Sequence, residues 1–373
     1  MTCEYSFPLE LLNASASEKL NYFKTKVIVP HRNLREISNE LLKNILDPDD
    51  ALVYLVFGVT GVGKTTLRKR LQKVLMEILL DDLISNPGKI AVAGIEVPAP
   101  EGGKFSHLGY YEMVLEALNE VLIQYKVDYD ISDNKDESFE PKSSKLRNAR
   151  TLRRAIEKVF RYRELEAFMV DEGQHIFATS GARQMLEQMN WIKSIANLTE
   201  TVHVLFGTYE LLNCPILTGQ VGRRSEDFHF TPYDKEDKLD YAEFKKVALT
   251  FAQHLPLVKL PDFENRIDYL IDYSIGNIGI FHGWLYRSLR ESIHSDCTAL
   301  TDKHLKLGEL APYKRRKISV ELDNGKRVFA QLNSEEKTSP TPLPKITAAG
   351  KAGDLHRRSV GQRNPERDPV GID

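Results

Sequence analysis

Four short, mostly apolar runs recur between residues 53 and 206, and a turn or loop sequence follows each of them. They are VYLVF at 53–57, IAVAGIEV at 90–97, AFMV at 167–170 and VHVLF at 202–206. Continuous apolar runs of this length are typical of strands buried on both faces, as in a parallel sheet. Amphipathic stretches separate the runs, so helices should alternate with strands. The pattern predicts an α/β domain.

From residue 234 onward, apolar residues recur at the spacing of an α-helix. The segments DKLDYAEFKKVALTFAQHL and FENRIDYLIDYSIGNIGIFHGWLYRSLRESI predict a small helical lid. Within the second segment, residues 276–279 (GNIG) predict a tight turn that opens a helix. The start of that helix either contacts a nucleotide or only packs.

Turn residues and composition predict the structure of the chain after the lid. Two alternating apolar runs flank Asp323, Asn324 and Gly325 in KRRKISVELDNGKRVFAQL, which predicts a β-hairpin. From Ser334 to Asp373 the chain is rich in Pro, Gly, Ser, Thr and Arg, so we expect a disordered tail that binds a partner. The predicted domains are an N-terminal arm at 1–20, a nucleotide-binding domain at 21–235, the lid at 236–310, the hairpin at 311–333 and the tail at 334–373.

Composition narrows the class of protein. The net charge of -2 over 373 residues shows no global attraction to nucleic acid, so DNA contacts require local basic patches. The three cysteines form no C-x-x-C pair, which argues against a disulfide framework or a zinc site and favours a reducing cytoplasm. The chain lacks an apolar run of about 18 residues and a signal-peptide pattern, so we expect a cytoplasmic protein that neither enters a membrane nor is exported.

A glycine loop joins the first predicted strand to a helix and carries the clearest chemistry. It matches G-x-x-x-x-G-K-[ST], a loop whose backbone N–H groups wrap around phosphate. Lys64 is then expected to reach the β and γ phosphates of ATP, and the Thr65 hydroxyl to bind Mg²⁺. The competing interpretation is a glycine-rich turn of a Rossmann-like unit. The predicted nucleotide-binding residues are Gly58, Val59, Thr60, Gly61, Val62, Gly63, Lys64, Thr65 and Thr66.

An acidic pair follows the third predicted strand. A hydrophobic strand that ends in Asp171 and Glu172 is a Walker B arrangement. One carboxylate holds Mg²⁺ and the next activates the attacking water. We assign the metal role to Asp171, together with Thr65, and the water role to Glu172.

Further candidates lie after the fourth strand. Thr208 either senses the γ phosphate or caps the helix that starts near Tyr209. Arg223 and Arg224 precede an alternating strand with Phe228, and either of them could stabilise transferring phosphate in a neighbouring subunit. A surface ion pair is the alternative for these arginines.

Two other segments allow two interpretations each. The segment VIVP at 27–30 either contacts an adenine ring or packs Ile28 and Val29 beneath the sheet. The loop after the second strand offers four candidates for contact with something beyond the nucleotide, or simply a solvated loop. These are Lys104, Ser106, His107 and Tyr110.

Five motifs in this order resemble those of the TniB/TnsC family of AAA+ transposition regulators. They are GVTGVGKTT, MVDEGQH, FGTYEL, GRRSEDFHF and GNIGIFHGWL, and the resemblance covers about residues 20–310. It implies an AAA+ P-loop NTPase that binds ATP and Mg²⁺ and assembles as a homo-oligomer, a ring or filament, on double-stranded DNA. Such proteins link a target-selecting protein to the transposase, and ATP hydrolysis resets the assembly.

The resemblance also assigns roles to individual residues. It makes Lys64, Glu172, Thr208, Arg223 and Arg224 the catalytic set, with both arginines acting across a subunit interface. It places DNA contacts around residues 104–111, to backbone phosphates and independent of base sequence.

The chain departs from the family in an acidic insertion at 127–140, in its long tail and in the lid turn. That turn lacks the arginine that many AAA+ proteins use as a second sensor, unless Arg287 serves. Two other functions share the same parts. One is a helicase-loader, origin-recognition-like or chaperone-like ATPase, which more often has a winged helix after the lid. The other is a switch that binds ATP and hardly hydrolyses it.

Overall fold

A five-stranded parallel sheet forms the centre of the protein. The computed structural model describes residues 5–123, 148–178, 181–213 and 225–335. The strands are β1 (Val53–Phe57), β2 (Val92–Glu96), β3 (Ala167–Asp171), β4 (Val202–Gly207) and β5 (Ser225–His229), in the order β2-β3-β4-β1-β5. Every residue of β1, β3 and β4 is buried, which confirms the α/β fold and explains the continuous apolar runs.

Twelve α-helices lie before, between and after the strands in the described ranges. They are α1 (Ala16–Lys26), α2 (Arg32–Leu46), α3 (Lys64–Ile78), α4 (Leu80–Ser85), α5 (His107–Ala117), α6 (Ala149–Tyr162), α7 (Ala182–Thr199), α8 (Lys238–Gln253), α9 (Ile267–Ser274), α10 (Ile278–His294), α11 (Asp302–Gly308) and α12 (Pro312–Glu335). No helix in the described ranges is long and apolar enough to cross a membrane.

The lid consists of helices α8 to α11, as its helical spacing predicts. Phe244, Phe251, Phe281 and Trp284 are fully buried there and form one apolar cluster. Phe23 of α1 belongs to the same cluster. The lid therefore has an apolar core of its own that also holds an N-terminal helix.

The N-terminal arm is more ordered than predicted from residue 5 onward. The Ser6 backbone N–H donates to the carbonyl of Gln253 at 3.0 Å, and the Tyr5 hydroxyl donates to the Val258 carbonyl at 2.6 Å. Phe7 is buried. The arm is held by the lid, a tertiary contact that its turn-rich sequence does not reveal.

The segment at 27–30 packs against the lid rather than beneath the sheet. Val29 is buried and joins the lid cluster, while the side chain of Ile28 is 63% exposed. The predicted packing position of this pair is therefore wrong. Contact between this segment and an adenine ring stays a prediction.

The hairpin predicted at 311–333 is wrong, because this segment forms the 24-residue helix α12. Leu322 is buried there, and Gly325 lies so close to the Tyr209 ring that a Cβ atom would be 2.3 Å from it. The Asp-Asn-Gly signal is local, and packing of a helical face overrides it.

Several predicted features lie beyond the described part of the chain. They are Arg223, Arg224, the acidic insertion at 127–140 and residues 336–373 of the predicted tail. Residues 332–373 form a unit separate from residues 1–331. The predicted domain boundaries stay predictions.

Candidate nucleotide site

The glycine loop leaves the carboxyl end of β1 and enters α3 at Lys64. Gly61 and Gly63 have φ values of 83° and 116°, a region that side chains disfavour. The Lys64 ammonium donates to the carbonyl oxygens of Gly58 at 2.9 Å and Val59 at 3.1 Å. The local backbone thus has the left-handed glycines and the helix start that a phosphate-binding loop requires.

Lys64 is only 7% exposed. Burial lowers the pKa of its ammonium, while the carboxylates of Glu172, Glu321 and Asp171 act in the opposite direction. Three acidic side chains therefore act on the charge of this ammonium, and one of them, Glu321, belongs to α12. Nothing in the local sequence pattern marks Glu321 as a site residue.

The lid touches the glycine loop directly. The Asn277 side-chain amide donates to the Thr60 carbonyl at 3.2 Å and also caps α10 by accepting from the Ile280 N–H at 3.1 Å. A Cβ atom on Gly279 would lie 2.0 Å from the carbonyl oxygen of Gly61. The predicted GNIG turn is present, and its glycine permits this close contact between lid and loop.

Asp171 ends β3 and is 1% exposed. Its carboxylate accepts from the Arg68 Nε of α3 at 3.3 Å and from the Glu172 backbone N–H at 3.1 Å. Thr65 is exposed in the first turn of the same α3. A hydroxyl and a carboxylate are hard oxygen ligands, so the chemistry of these two side chains fits Mg²⁺.

Glu172 has a left-handed backbone with φ of 54°, and a glutamine holds its side chain. Gln174 Nε2 donates to Glu172 Oε2 at 2.6 Å, and Gln174 Oε1 accepts from the Thr208 backbone N–H at 3.2 Å. Gln174 is 7% exposed. It therefore ties the expected water-activating carboxylate to the end of β4. The DEGQH motif contains Gln174, but only the tertiary structure shows what it contacts.

Thr208 follows β4 and caps the short helix after it. Its hydroxyl accepts from the Glu210 backbone N–H at 3.4 Å. The capping interpretation is confirmed. The sensor role stays a prediction, and the hydrogen bond from its backbone to Gln174 places Thr208 beside Glu172.

Arg287, the possible second sensor, is tied to the lid. Its Nε donates to the carbonyl of Gly308 at the end of α11, at 2.8 Å. Burial lowers the pKa of this guanidinium, and the neighbouring Arg290 charge acts in the same direction. Its sensor role has no hydrogen bond to the glycine loop in support.

The four candidates after β2 divide into two groups. Lys104 and Ser106 are exposed, and the Ser106 hydroxyl caps α5 by accepting from the Gly109 N–H at 3.2 Å. His107 and Tyr110 instead pack edge-on against Trp191, at 4.8 and 5.1 Å between ring centroids.

Tyr110 is 4% exposed, and burial raises the pKa of its hydroxyl. Its assignment as a surface contact for DNA is therefore corrected: Tyr110 is a packing residue. The DNA assignments of Lys104, Ser106 and His107 stay predictions.

One protein-family model matches part of the chain. Residues 47–214 match the family model described as "AAA domain". This range runs from just before β1 to just after β4 and contains the glycine loop, Asp171 and Glu172. Together with the strand order and the lid, the match makes the fold an AAA+ P-loop fold, as predicted. No protein of curated function matches the sequence.

Solved structures with similar folds are distant in sequence. The ORC2 protein of Aeropyrum pernix is 14% identical, with a TM-score of 0.49 over 78% of this chain and 71% of that chain. The A. pernix ORC1 protein in complex with DNA is 16% identical, with a TM-score of 0.46 over 75% and 65%. AMPPCP-bound DnaA from Aquifex aeolicus is 15% identical, with a TM-score of 0.36 over 71% and 64%. None of these three TM-scores reaches 0.5.

Proposed function

We propose that the chain binds ATP with Mg²⁺ at the glycine loop and hydrolyses it. The observation that carries this proposal is the position of Glu172. Its carboxylate is held by Gln174 at 2.6 Å, next to Asp171 and close enough to Lys64 to act on the pKa of that ammonium. A phosphate-binding lysine, a metal-binding carboxylate and a second carboxylate for water are the parts that phosphoryl transfer to water requires.

Each residue then has a distinct task. The loop amides and Lys64 bind and neutralise the β and γ phosphates. Thr65 and Asp171 hold Mg²⁺, which stabilises charge on the phosphate oxygens when it is bound. Glu172 orients the attacking water and accepts its proton. Asp171 must then exchange part of its contact with Arg68 for the metal and its waters, since both use the same carboxylate.

The proposal extends to regulation of DNA transposition. Its support is the set of motifs that resemble those of TniB/TnsC proteins. Two of these motifs make contacts within the nucleotide site: Gln174 binds Glu172, and the turn at 276–279 contacts the glycine loop. In this proposal ATP lies between subunits of an oligomer on double-stranded DNA, and Arg223 or Arg224 reaches the neighbouring site. Exposed Lys104 contacts backbone phosphate. The oligomer links a target-selecting protein to a transposase.

The test is negative-stain microscopy of the purified full-length chain with linear duplex DNA, with and without a slowly hydrolysed ATP analogue. We expect rings or filaments only when DNA and the analogue are both present. The variant Lys64→Ala should form none. A monomer that binds nucleotide but ignores duplex DNA would overturn the transposition proposal and leave the ATPase proposal intact.

The variant Glu172→Gln separates the regulator from a nucleotide switch. A regulator reset by hydrolysis should form DNA assemblies that outlast those of the native chain in ATP. A switch that only needs bound ATP should behave as the native chain does. An origin-recognition-like or loader function would instead appear as recruitment of a helicase, with no dependence of transposase activity on this chain.

A further inference from the structure

Helix α12 lies across the edge of the sheet from which the glycine loop departs. Phe329 packs against Phe57, the last residue of β1, and against His229, the last residue of β5, with ring centroids 5.3 and 4.8 Å apart. Gly325 lies against the ring of Tyr209, just after β4. The carboxyl edge of an open parallel sheet is where ligands bind, so α12 occupies the side of the sheet that a nucleotide must approach.

The position of α12 is specified by close packing and by charge. A Cβ atom on Gly325 would be 2.3 to 2.5 Å from three atoms of the Tyr209 ring, so only glycine permits this approach. The Lys326 ammonium lies 3.6 Å from the Asp234 carboxylate, and Leu322 is 6% exposed. Steric fit and an ion pair therefore define where α12 packs.

This packing brings the Glu321 carboxylate to the phosphate-binding groups. The Glu321 carboxylate lies near the backbone N–H of Thr60, inside the glycine loop, and the Lys64 ammonium attracts it. One oxygen, Oε1, is buried and has no hydrogen-bond partner among the described residues. Burial raises the pKa of Glu321, while Lys64 and the Thr60 N–H oppose that rise.

A carboxylate in this position resembles a phosphate in the two properties that the loop recognises. Both carry negative charge, and both accept hydrogen bonds from backbone N–H groups. A γ phosphate beside Lys64 would meet the Glu321 carboxylate at close range, where two negative charges repel each other. Glu321 and the terminal phosphate therefore compete for the same donors.

We propose that α12 is an autoinhibitory helix, in which Glu321 stands in for a nucleotide phosphate and must be displaced when ATP binds. This inference rests on the proposed nucleotide binding but not on DNA binding or transposition. Coupling between two sites is reciprocal. A partner that holds α12 away from the loop therefore raises the affinity for ATP, and bound ATP raises the affinity for that partner by the same factor.

The first test measures equilibrium binding of ATP and ADP to the full-length variant Glu321→Gln. The amide has the same shape without the charge, so ATP should bind about tenfold tighter than to the native chain, which corresponds to about 1.4 kcal/mol. The gain should be larger for ATP than for ADP, since the competing group is the terminal phosphate. Asp323→Asn is the matched control, because Asp323 is an exposed acid on the same helix, and it should leave both affinities unchanged.

A second test follows the helix itself. Hydrogen exchange of the α12 amides should become faster when a non-hydrolysed ATP analogue is added to the native chain. The variant Gly325→Ala forces Tyr209 and α12 apart, so it should speed this exchange without nucleotide and tighten ATP binding about as much as Glu321→Gln does.

The possible failures are distinguishable. Equal ATP affinity in the native chain and Glu321→Gln, or slower α12 exchange with the analogue, would overturn the autoinhibitory helix and leave the ATPase proposal standing. Weaker binding to Glu321→Gln would show that Glu321 assists the nucleotide, which also overturns the inference. If neither the native chain nor Glu321→Gln binds ATP, both proposals fail. Binding by Glu321→Gln alone would be the strongest support.

Discussion

The link from Glu172 through Gln174 to Thr208 gives the sharpest prediction about ATP turnover. We consider Gln174→Met, which keeps the length of the side chain and removes both of its hydrogen bonds. The bond to Glu172 is 2.6 Å long and accepted by a carboxylate, and the bond from the Thr208 N–H is 3.2 Å long. Hydrogen bonds to charged groups contribute about 1.5 to 3 kcal/mol, and neutral ones about 1 kcal/mol.

Those values set the expected magnitudes. Loss of both bonds should lower the free energy of unfolding by about 2 to 4 kcal/mol, since the Thr208 N–H also loses its partner. If the bond to Glu172 holds the carboxylate in position for water, its loss should reduce kcat by roughly 10- to 100-fold, at about 1.4 kcal/mol for each factor of ten. The KM for ATP should change little, because the phosphate-binding loop is untouched.

Steady-state hydrolysis assays and urea unfolding measure the two effects separately. Gln184→Met is the matched control, because Gln184 is exposed on α7. Its kcat should stay within about twofold of the native value, and its free energy of unfolding within about 0.5 kcal/mol. A native kcat in Gln174→Met, despite a loss of stability, would refute the positioning role. An equal rise of KM with no change in kcat would do the same.

Three further predictions concern pH, the lid contact and DNA. Burial lowers the pKa of His203 from 6.5 to about 4, so the unfolded chain binds the extra proton. The free energy of unfolding should therefore be highest above pH 6.5 and fall by up to ~3 kcal/mol towards pH 4. In urea unfolding, His203→Gln should lose this pH dependence, and the exposed control His294→Gln should keep it. Gly279→Ala places a Cβ atom 2.0 Å from the Gly61 carbonyl oxygen, so titration should show at least about tenfold weaker ATP binding, and native affinity would contradict the proposed coupling of lid and loop. Lys104→Ala should reduce the slope of log affinity for duplex DNA against log salt by about 1, and an unchanged slope would remove Lys104 from the DNA surface.

Local chemistry made much of the nucleotide site predictable from the sequence. The glycine loop needs left-handed backbone at Gly61 and Gly63 within a few residues of Lys64, and the strand before it must be buried. Such requirements involve only neighbours in the chain, so they leave a readable pattern. The same holds for Asp171 and Glu172, since a strand end and its next residue are adjacent in sequence.

Packing between distant segments overrode local signals elsewhere. Asp323, Asn324 and Gly325 have the composition of a hairpin turn, yet they lie in α12, because Gly325 meets the Tyr209 ring and Phe329 meets Phe57. Tyr110 has the polar tip of a surface residue, but it is buried beside Trp191, far along the chain. Neither contact leaves a periodic pattern in the sequence from which it could be predicted.

The sequence by itself determined the α/β class, the phosphate-binding loop, the acidic pair and the helical lid, because each depends on backbone geometry or burial within one element. Only the tertiary structure decided what completes the site. Gln174 joins Glu172 to the end of β4, Asn277 joins the lid to the loop, and Glu321 approaches Lys64 from α12. These partners come from separate elements, and a short-range electrostatic or hydrogen-bonded contact between them exists only after the chain has folded.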